Sequence, residues 1–200
     1  MNYLAHLSLS IKNDDLMLGN LVADFTRKAK FSEFIPEVQR GIHLHHFIDD
    51  FTDSHSLVEE AKVLIRPLQG KFSGVVLDIY FDHLLARDYY FWHQESLADF
   101  AEYAYQLFNL RKDELPEAAS HMVHYMAKGN WLFNYSTHEG LSRSLEGMSR
   151  RTSYKNTMNL AANQLQELES DLIPLFKEFY PELNKSVGQW LDNQGLKELK

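Results

Sequence analysis

The 200-residue sequence contains no cysteine, which excludes thiol nucleophiles, iron–sulfur clusters, cysteine-bound zinc and a disulfide-stapled scaffold. It has no apolar run approaching the 18 or so residues of a membrane span. Its start, Met1-Asn2-Tyr3-Leu4-Ala5-His6, lacks the basic beginning and apolar stretch of a signal peptide. These absences fit a cytoplasmic protein that does not engage a membrane. Positive charge is also scarce. Twenty Lys and Arg stand against 28 Asp and Glu, for a formal net charge of −8. That balance argues against broad nucleic-acid binding, and an acidic partner would need a local basic patch. Five prolines and nine glycines exclude a collagen-like chain, while 44% apolar and 24% charged residues are ordinary for a globular core.

The acids are unevenly placed. Residues 1–90 hold nine of the thirteen aspartates, only four of the fifteen glutamates, and six of the ten histidines. Aspartate is disfavoured inside helices, so a mid-helix Asp needs a reason beyond solubility. Asp and His gathered together have the composition of a metal site on hard-to-borderline ligands.

Nearly every segment reads as helix. Asp14-Asp15 opens a stretch to Phe25, and Pro36 suits the first turn of a helix over 36–53. Ser56-x-x-Glu59 is a capping box for a helix stopping near Pro67. Residues 75–90 are too long for a strand and read as helix. Further helices are expected over 96–109, from Pro116 to Gly129, over 137–149, and over 153–180 with a bend or end near Pro174. Residues 181–194 give a last, fraying helix. The expectation is one all-α domain of roughly seven to nine helices. Residues 1–180 would form that domain, with a helical tail over 181–200.

Several of these helices offer chemistry. His45 and Asp49 are four apart in His43-Leu44-His45-His46-Phe47-Ile48-Asp49-Asp50, so they share a helix face, with Asp53 a turn further on. Taken alone such a pair is more simply a solvated face. Asp78 and Asp82 also share a face, among Leu77, Phe81, Leu84 and Leu85. Like charges at that spacing repel, and buried carboxylates must be paired, protonated or metal-bound. On that view, removing either acid relieves repulsion, and metal-free stability should hold or rise. His83 reads equally as a ligand, a group behind the ligands, or a core histidine satisfied by a carbonyl. Asn20 and Asp24 lie one turn apart in Gly19-Asn20-Leu21-Val22-Ala23-Asp24, and His6 stands alone in an apolar start. What favours a site is recurrence, because helix bundles build metal centres from facing helices. An oxygen-rich set with one or two imidazoles suits Mn²⁺ or Mg²⁺, or else Fe²⁺, better than structural zinc.

Basic residues cluster at Arg143, Arg150, Arg151 and Lys155, and again at Arg27-Lys28-x-Lys30. Arginine recognises phosphate through its bidentate fork, although a charged helix end has the same composition. Trp131, Phe133 and Tyr135 read as core and receive no site role.

Taken in order, Met1-Asn2-Tyr3-Leu4-Ala5-His6-Leu7, Gly19-Asn20-x-x-Ala23-Asp24, Gly41-Ile42-x-x-His45-x-x-Ile48-Asp49-x-x-Thr52-Asp53, Asp78-x-x-x-Asp82-His83 and Leu145-x-Gly147-Met148-x-Arg150-Arg151 resemble the acyl carrier protein phosphodiesterase family. The resemblance extends from residue 1 to about 180. It implies an HD-phosphohydrolase-like helix bundle that hydrolyses the phosphodiester joining 4′-phosphopantetheine to a serine of holo-acyl carrier protein, with Mn²⁺ favoured. His46 stands where some relatives carry Arg.

On this reading Asp24, His45, Asp78, Asp82 and His6 bind the metal, and Asp49, His83 and Arg150 are catalytic. Asn20, His46, Arg150 and Arg151 contact substrate, with Arg150 clamping phosphate and Arg151 docking the acidic carrier. Two other readings stay open. One is an HD-like phosphohydrolase acting on a nucleotide or another small phosphate ester. The other is a non-enzymatic helical binding module.

Overall fold

The computed structural model describes residues 1–11, 13–26 and 28–195. The architecture is all-α, as the periodicity implies. Eleven α-helices are present among the described residues: α1 Tyr3–Ser8, α2 Asp14–Val22, α3 Pro36–Ser54, α4 Ser56–Gln69, α5 Ser73–Arg87, α6 Tyr89–His93, α7 Leu97–Leu110, α8 Glu117–Lys128, α9 Trp131–Asn134, α10 His138–Arg151 and α11 Ala161–Asn193. This exceeds the expected seven to nine. The additional helices α1, α6 and α9 span six, five and four residues, too few for an apolar period to register.

Local signals explain most boundaries. The Asn13 side chain accepts from the N–H groups of Asp15 and Leu16 and starts α2. Pro36 occupies the first turn of α3, and Ser96 Oγ accepts from Asp99 N to start α7. The start of α4 differs from expectation. Its cap is His55, whose Nδ1 accepts from Leu57 N, so Ser56 is already helical. Pro67 falls inside the last turn of α4, and the chain stays helical to Gln69.

The larger correction concerns α11. It begins at Ala161, later than the expected 153, and runs for 33 residues through both Pro174 and Pro181. An interior proline deletes one hydrogen bond and crowds the preceding turn. Here a continuous apolar stripe of Leu165, Leu172, Phe176, Phe179, Leu183, Val187 and Leu191, all buried, holds the helix in place across both. The boundary expected at 180/181 therefore falls within this helix.

The crossing of α2 and α3 positions the site. Their closest approach is glycine on glycine. A Cβ built on Gly41 would lie 2.4 Å from the Leu16 carbonyl oxygen and 2.8 Å from Gly19 Cα, while one on Gly19 would lie 2.0 Å from the Val38 carbonyl oxygen. These neighbours are backbone and cannot swing aside. Gly41→Ala should force the helices apart, at about 1–3 kcal/mol for an overpacked contact. A thermal melt should show a drop of several degrees, and unchanged melting and activity would mean the crossing is not tight.

Candidate metal centre and substrate cavity

The glycine crossing brings the C-terminal half of α2 beside the middle of α3, and α1 closes over both. Asn20 of α2 is buried beneath two histidines, His6 of α1 and His45 of α3. Its side-chain oxygen lies 2.9 Å from His6 Nδ1 and 3.1 Å from His45 Nδ1, and its backbone oxygen lies 3.0 Å from His45 Nδ1. Its amide nitrogen donates to the His6 carbonyl at 2.7 Å and to Ser10 Oγ at 3.1 Å. Each Nδ1 meets acceptors and so holds a proton there, and both Nε2 atoms turn toward a common centre. The two rings stack with centroids 4.3 Å apart.

At that centre Asp49 spans the pair. Its Oδ1 is 3.2 Å from His6 Nε2 and its Oδ2 is 3.1 Å from His45 Nε2. Asp24, in the 3₁₀ turn Ala23–Phe25 that continues α2, places Oδ1 3.3 Å from His45 Nε2. Ligand atoms of His6, His45 and Asp49 all lie within 4.8 Å of one another, so these three residues can share one metal ion.

The electrostatics fit a cation. Burial pushes His45 down, but its hydrogen bonds to Asp24 and Asp49 and their charges outweigh this and raise it to about 9. Burial dominates at His6, which is lowered despite Asp49. Burial also works against ionised Asp49, yet hydrogen bonds from His45 and His6 hold it well below the usual carboxylate range. The hydrogen bond from His45 also lowers Asp24, against burial.

The centre opens into a cavity of about 630 Å³. One wall carries His6, Asp24, His45 and Asp49. Another is the face of α10 formed by Gly140, Arg143, Ser144, Gly147, Met148 and Arg151. Arg143, Gly147 and Arg151 are spaced by four, so they line up along the helix. A Cβ on Gly147 would meet nothing within 4 Å, so this glycine leaves the wall open between the two arginines. Tyr3, Leu7, Val75, Ile79, Met122, Trp131 and Tyr135 supply aromatic and apolar lining.

The cluster thus gathers His6, Asp24, His45 and Asp49 over Asn20, with Asp78 and Arg151 elsewhere on the cavity lining, while other expected site residues lie outside it. Asp82 is fully buried behind α1. Its Oδ2 accepts from Leu4 N at 2.7 Å, and its Oδ1 accepts from Asn2 N at 3.2 Å and Ala5 N at 3.3 Å. A carboxylate so placed satisfies the free N–H groups that open a helix. Asp78 lines the cavity, but its Oδ1 accepts from Met1 N at 2.8 Å. His83 is buried and donates from Nδ1 to the Tyr135 carbonyl at 2.6 Å, the core-histidine arrangement. Asn20 orients both imidazoles and has no amide atom to spare for substrate. His46 is exposed on α3 and does not line the cavity. Arg150 is also outside it, turned back onto Glu146 at 2.9 Å, so Arg151 and not Arg150 lines the cavity. Of the second basic cluster, Arg27 lies outside the described residues, and Lys30 borders a separate cavity with Glu33 and Glu114. Trp131 and Tyr135 do line the site. Nothing in their spacing marks them, since aromatic residues fill cores and cavities alike.

Among known proteins, the acyl carrier protein phosphodiesterase family matches residues 1–183. The acyl carrier protein phosphodiesterase of Photorhabdus laumondii subsp. laumondii is 30% identical over 90% of this chain and 92% of its own length. The protein of that name from Yersinia pestis is 31% identical over 94% and 97%. That of Escherichia coli O6:H1 is 30% identical over 94% and 98%. No solved structure is significantly similar to the chain. With a family match over nearly its full length, the chain belongs to the acyl carrier protein phosphodiesterase family.

Proposed function

We propose that this chain hydrolyses the phosphodiester joining 4′-phosphopantetheine to the serine of a holo-acyl carrier protein, releasing apo-carrier and phosphopantetheine. One observation carries the reading: a single cavity sets a His/Asp cluster on one wall against Arg143 and Arg151 on another. A phosphodiester needs both, a cation beside the phosphate and fixed positive charge for its oxygens.

His6, His45 and Asp49 would hold a divalent cation, with Asp24 as a further oxygen donor. Two imidazole nitrogens with carboxylate oxygens suit Mn²⁺, and Mg²⁺ or Fe²⁺ next. Bound there, the ion supplies a Lewis acid for a non-bridging oxygen and lowers the pKa of a coordinated water. Asn20 keeps both Nε2 lone pairs aimed at the site by holding the opposite ring nitrogens. Arg151 reaches the phosphate from the α10 wall. The open space over Gly147, with Leu7, Ile79 and Met148 nearby, admits a long, partly apolar arm more readily than a compact, fully polar pocket would.

Enzyme and carrier would both be acidic, so docking depends on local positive charge and is screened by salt. The two adjacent arginines then separate. Arg151→Ala should lower the turnover number about 10- to 100-fold, the worth of a charge-assisted hydrogen bond in the transition state. Arg150→Ala should leave turnover unchanged and shift KM less than about threefold, less still at high salt, as exposed charges do. Steady-state kinetics at two ionic strengths distinguish them, and a large loss in Arg150→Ala alone would invert the assignment.

The reading itself is tested by incubating the protein with holo-carrier and Mn²⁺ and following the intact carrier mass. Loss of the phosphopantetheine mass is expected. No loss with Mn²⁺, Mg²⁺ or Fe²⁺ would refute it.

A further inference from the structure

Breaking the bond between phosphorus and the serine oxygen leaves an electron pair on an aliphatic alkoxide, a poor leaving group that needs a proton as it departs. The proton carriers lining the cavity can be taken in turn. His6 and His45 are bound at Nδ1 by Asn20 and at Nε2 by the carboxylates. The Met1 amino group is held on Asp78 at 2.8 Å, and Tyr135 is buried, its hydroxyl packed on Asn2 Nδ2 at 3.2 Å, whereas Tyr3 is only half-buried. Arg143 leans on Glu139, and arginine keeps its protons at any working pH. Ser144 is an alcohol no more acidic than the group it would protonate. The Tyr3 phenol is left.

Tyr3 sits three residues before His6 on α1, hence on the same helix face, and lines the same cavity. Its hydroxyl makes no hydrogen bond to another described residue. Asp24 and Arg151 line that cavity with it, and the phenol feels the charges of both. Burial, with Asp24 adding to it and Arg151 opposing, pushes it up to about 12, so it carries its proton at neutral pH.

We propose that Tyr3 is the general acid that protonates the departing serine oxygen, an assignment resting on the diester-hydrolysis reading above. Water adds to phosphorus as the bond from phosphorus to the serine oxygen breaks. The electron pair stays on that oxygen, which takes the phenolic proton of Tyr3. The phenolate regains a proton from solvent, balancing the one lost by the attacking water.

A general acid is distinguished from a structural tyrosine by its dependence on the leaving group. The test compares wild type and Tyr3→Phe with Mn²⁺ on holo-carrier and on methyl phosphodiesters whose leaving groups run from ethanol through phenol to 4-nitrophenol. Tyr3→Phe should lose about 100-fold in turnover on holo-carrier and on the ethyl ester, the usual scale of general-acid assistance. The deficit should shrink steadily as the leaving group becomes more acidic. A uniform loss across the series, or none anywhere, would overturn the assignment. A wild type that cleaves the small diesters but not holo-carrier would sink the carrier reading, while the series still decides Tyr3. A wild type that cleaves none would sink both.

Discussion

Asp49→Asn is expected to lower metal-dependent turnover by at least about 100-fold, since even the outer hydrogen-bond partners of metal ligands matter on the scale of 10- to 100-fold. Asn conserves volume, so the fold should survive, but the carboxylate that spans His6 Nε2 and His45 Nε2 is lost. The metal-free protein should report the same change through pH. His45, raised from 6.5 to about 9, binds its proton more tightly folded than unfolded. Its contribution to stability is complete below about pH 6.5 and is lost as pH rises through about 9. Melting in chelator should therefore fall across that window, and Asp49→Asn should flatten the fall by removing one of the two carboxylates that raise His45. Metal binding needs a neutral His45 nitrogen, so Mn²⁺ affinity should climb by up to about tenfold per pH unit over the same window. Calorimetric titration at several pH values, in buffers of different ionisation heat, measures both the affinity and the proton released. Affinity independent of pH, or an Asp49→Asn variant with full activity, would remove this cluster from the reaction.

Part of this site is legible in the sequence. His45 and Asp49 lie four apart on one helix, so helical period alone makes them neighbours, and Asp24 follows Asn20 by one turn where α2 passes into a 3₁₀ turn. His6 is not legible in this way. Its place depends on the Gly19–Gly41 crossing, which no local signal announces, because two glycines in separate helices could equally be tolerated accidents. On α10 the relevant pattern is present but easily passed over. Arg150 and Arg151 are adjacent and so point about 100° apart, and only Arg151 is in register with Gly147 and Arg143. The continuity of α11 illustrates the reverse case, in which a strong local rule against interior proline yields to a long buried stripe.

Asp82 shows why a correct pattern can be assigned the wrong partner, and it leads to the second large effect. Two acids on one face of an apolar helix imply a positive neighbour, whether that is an ion or a row of N–H groups. Helix α1 has no side-chain cap of its own at Asn2, and its opening N–H groups are met by Asp82 from α5 instead. Burial pushes Asp82 up to about 7, while the amino group of Met1 and the backbone N–H groups of Leu4, Asn2 and Ala5 pull it down. Asp82→Ala would strand three backbone donors at a fully buried position. Leaving buried donors without an acceptor costs about 1–3 kcal/mol each at most, so a total of about 3–5 kcal/mol is expected. For a chain of this size that is a melting-point drop of about 10 °C. This reverses the sign expected from relief of repulsion with Asp78, so a chelator-treated melt decides between them. Because α1 carries both His6 and Tyr3, Mn²⁺ affinity should fall together with stability, although the hydrogen bonds of Asp82 go to the backbone of α1 and its start and to neither side chain. Asp82→Asn keeps one acceptor oxygen and should lie between wild type and Asp82→Ala in both measurements. A metal-free Asp82→Ala protein that melts at or above wild type would mean that the carboxylate does not hold the start of α1.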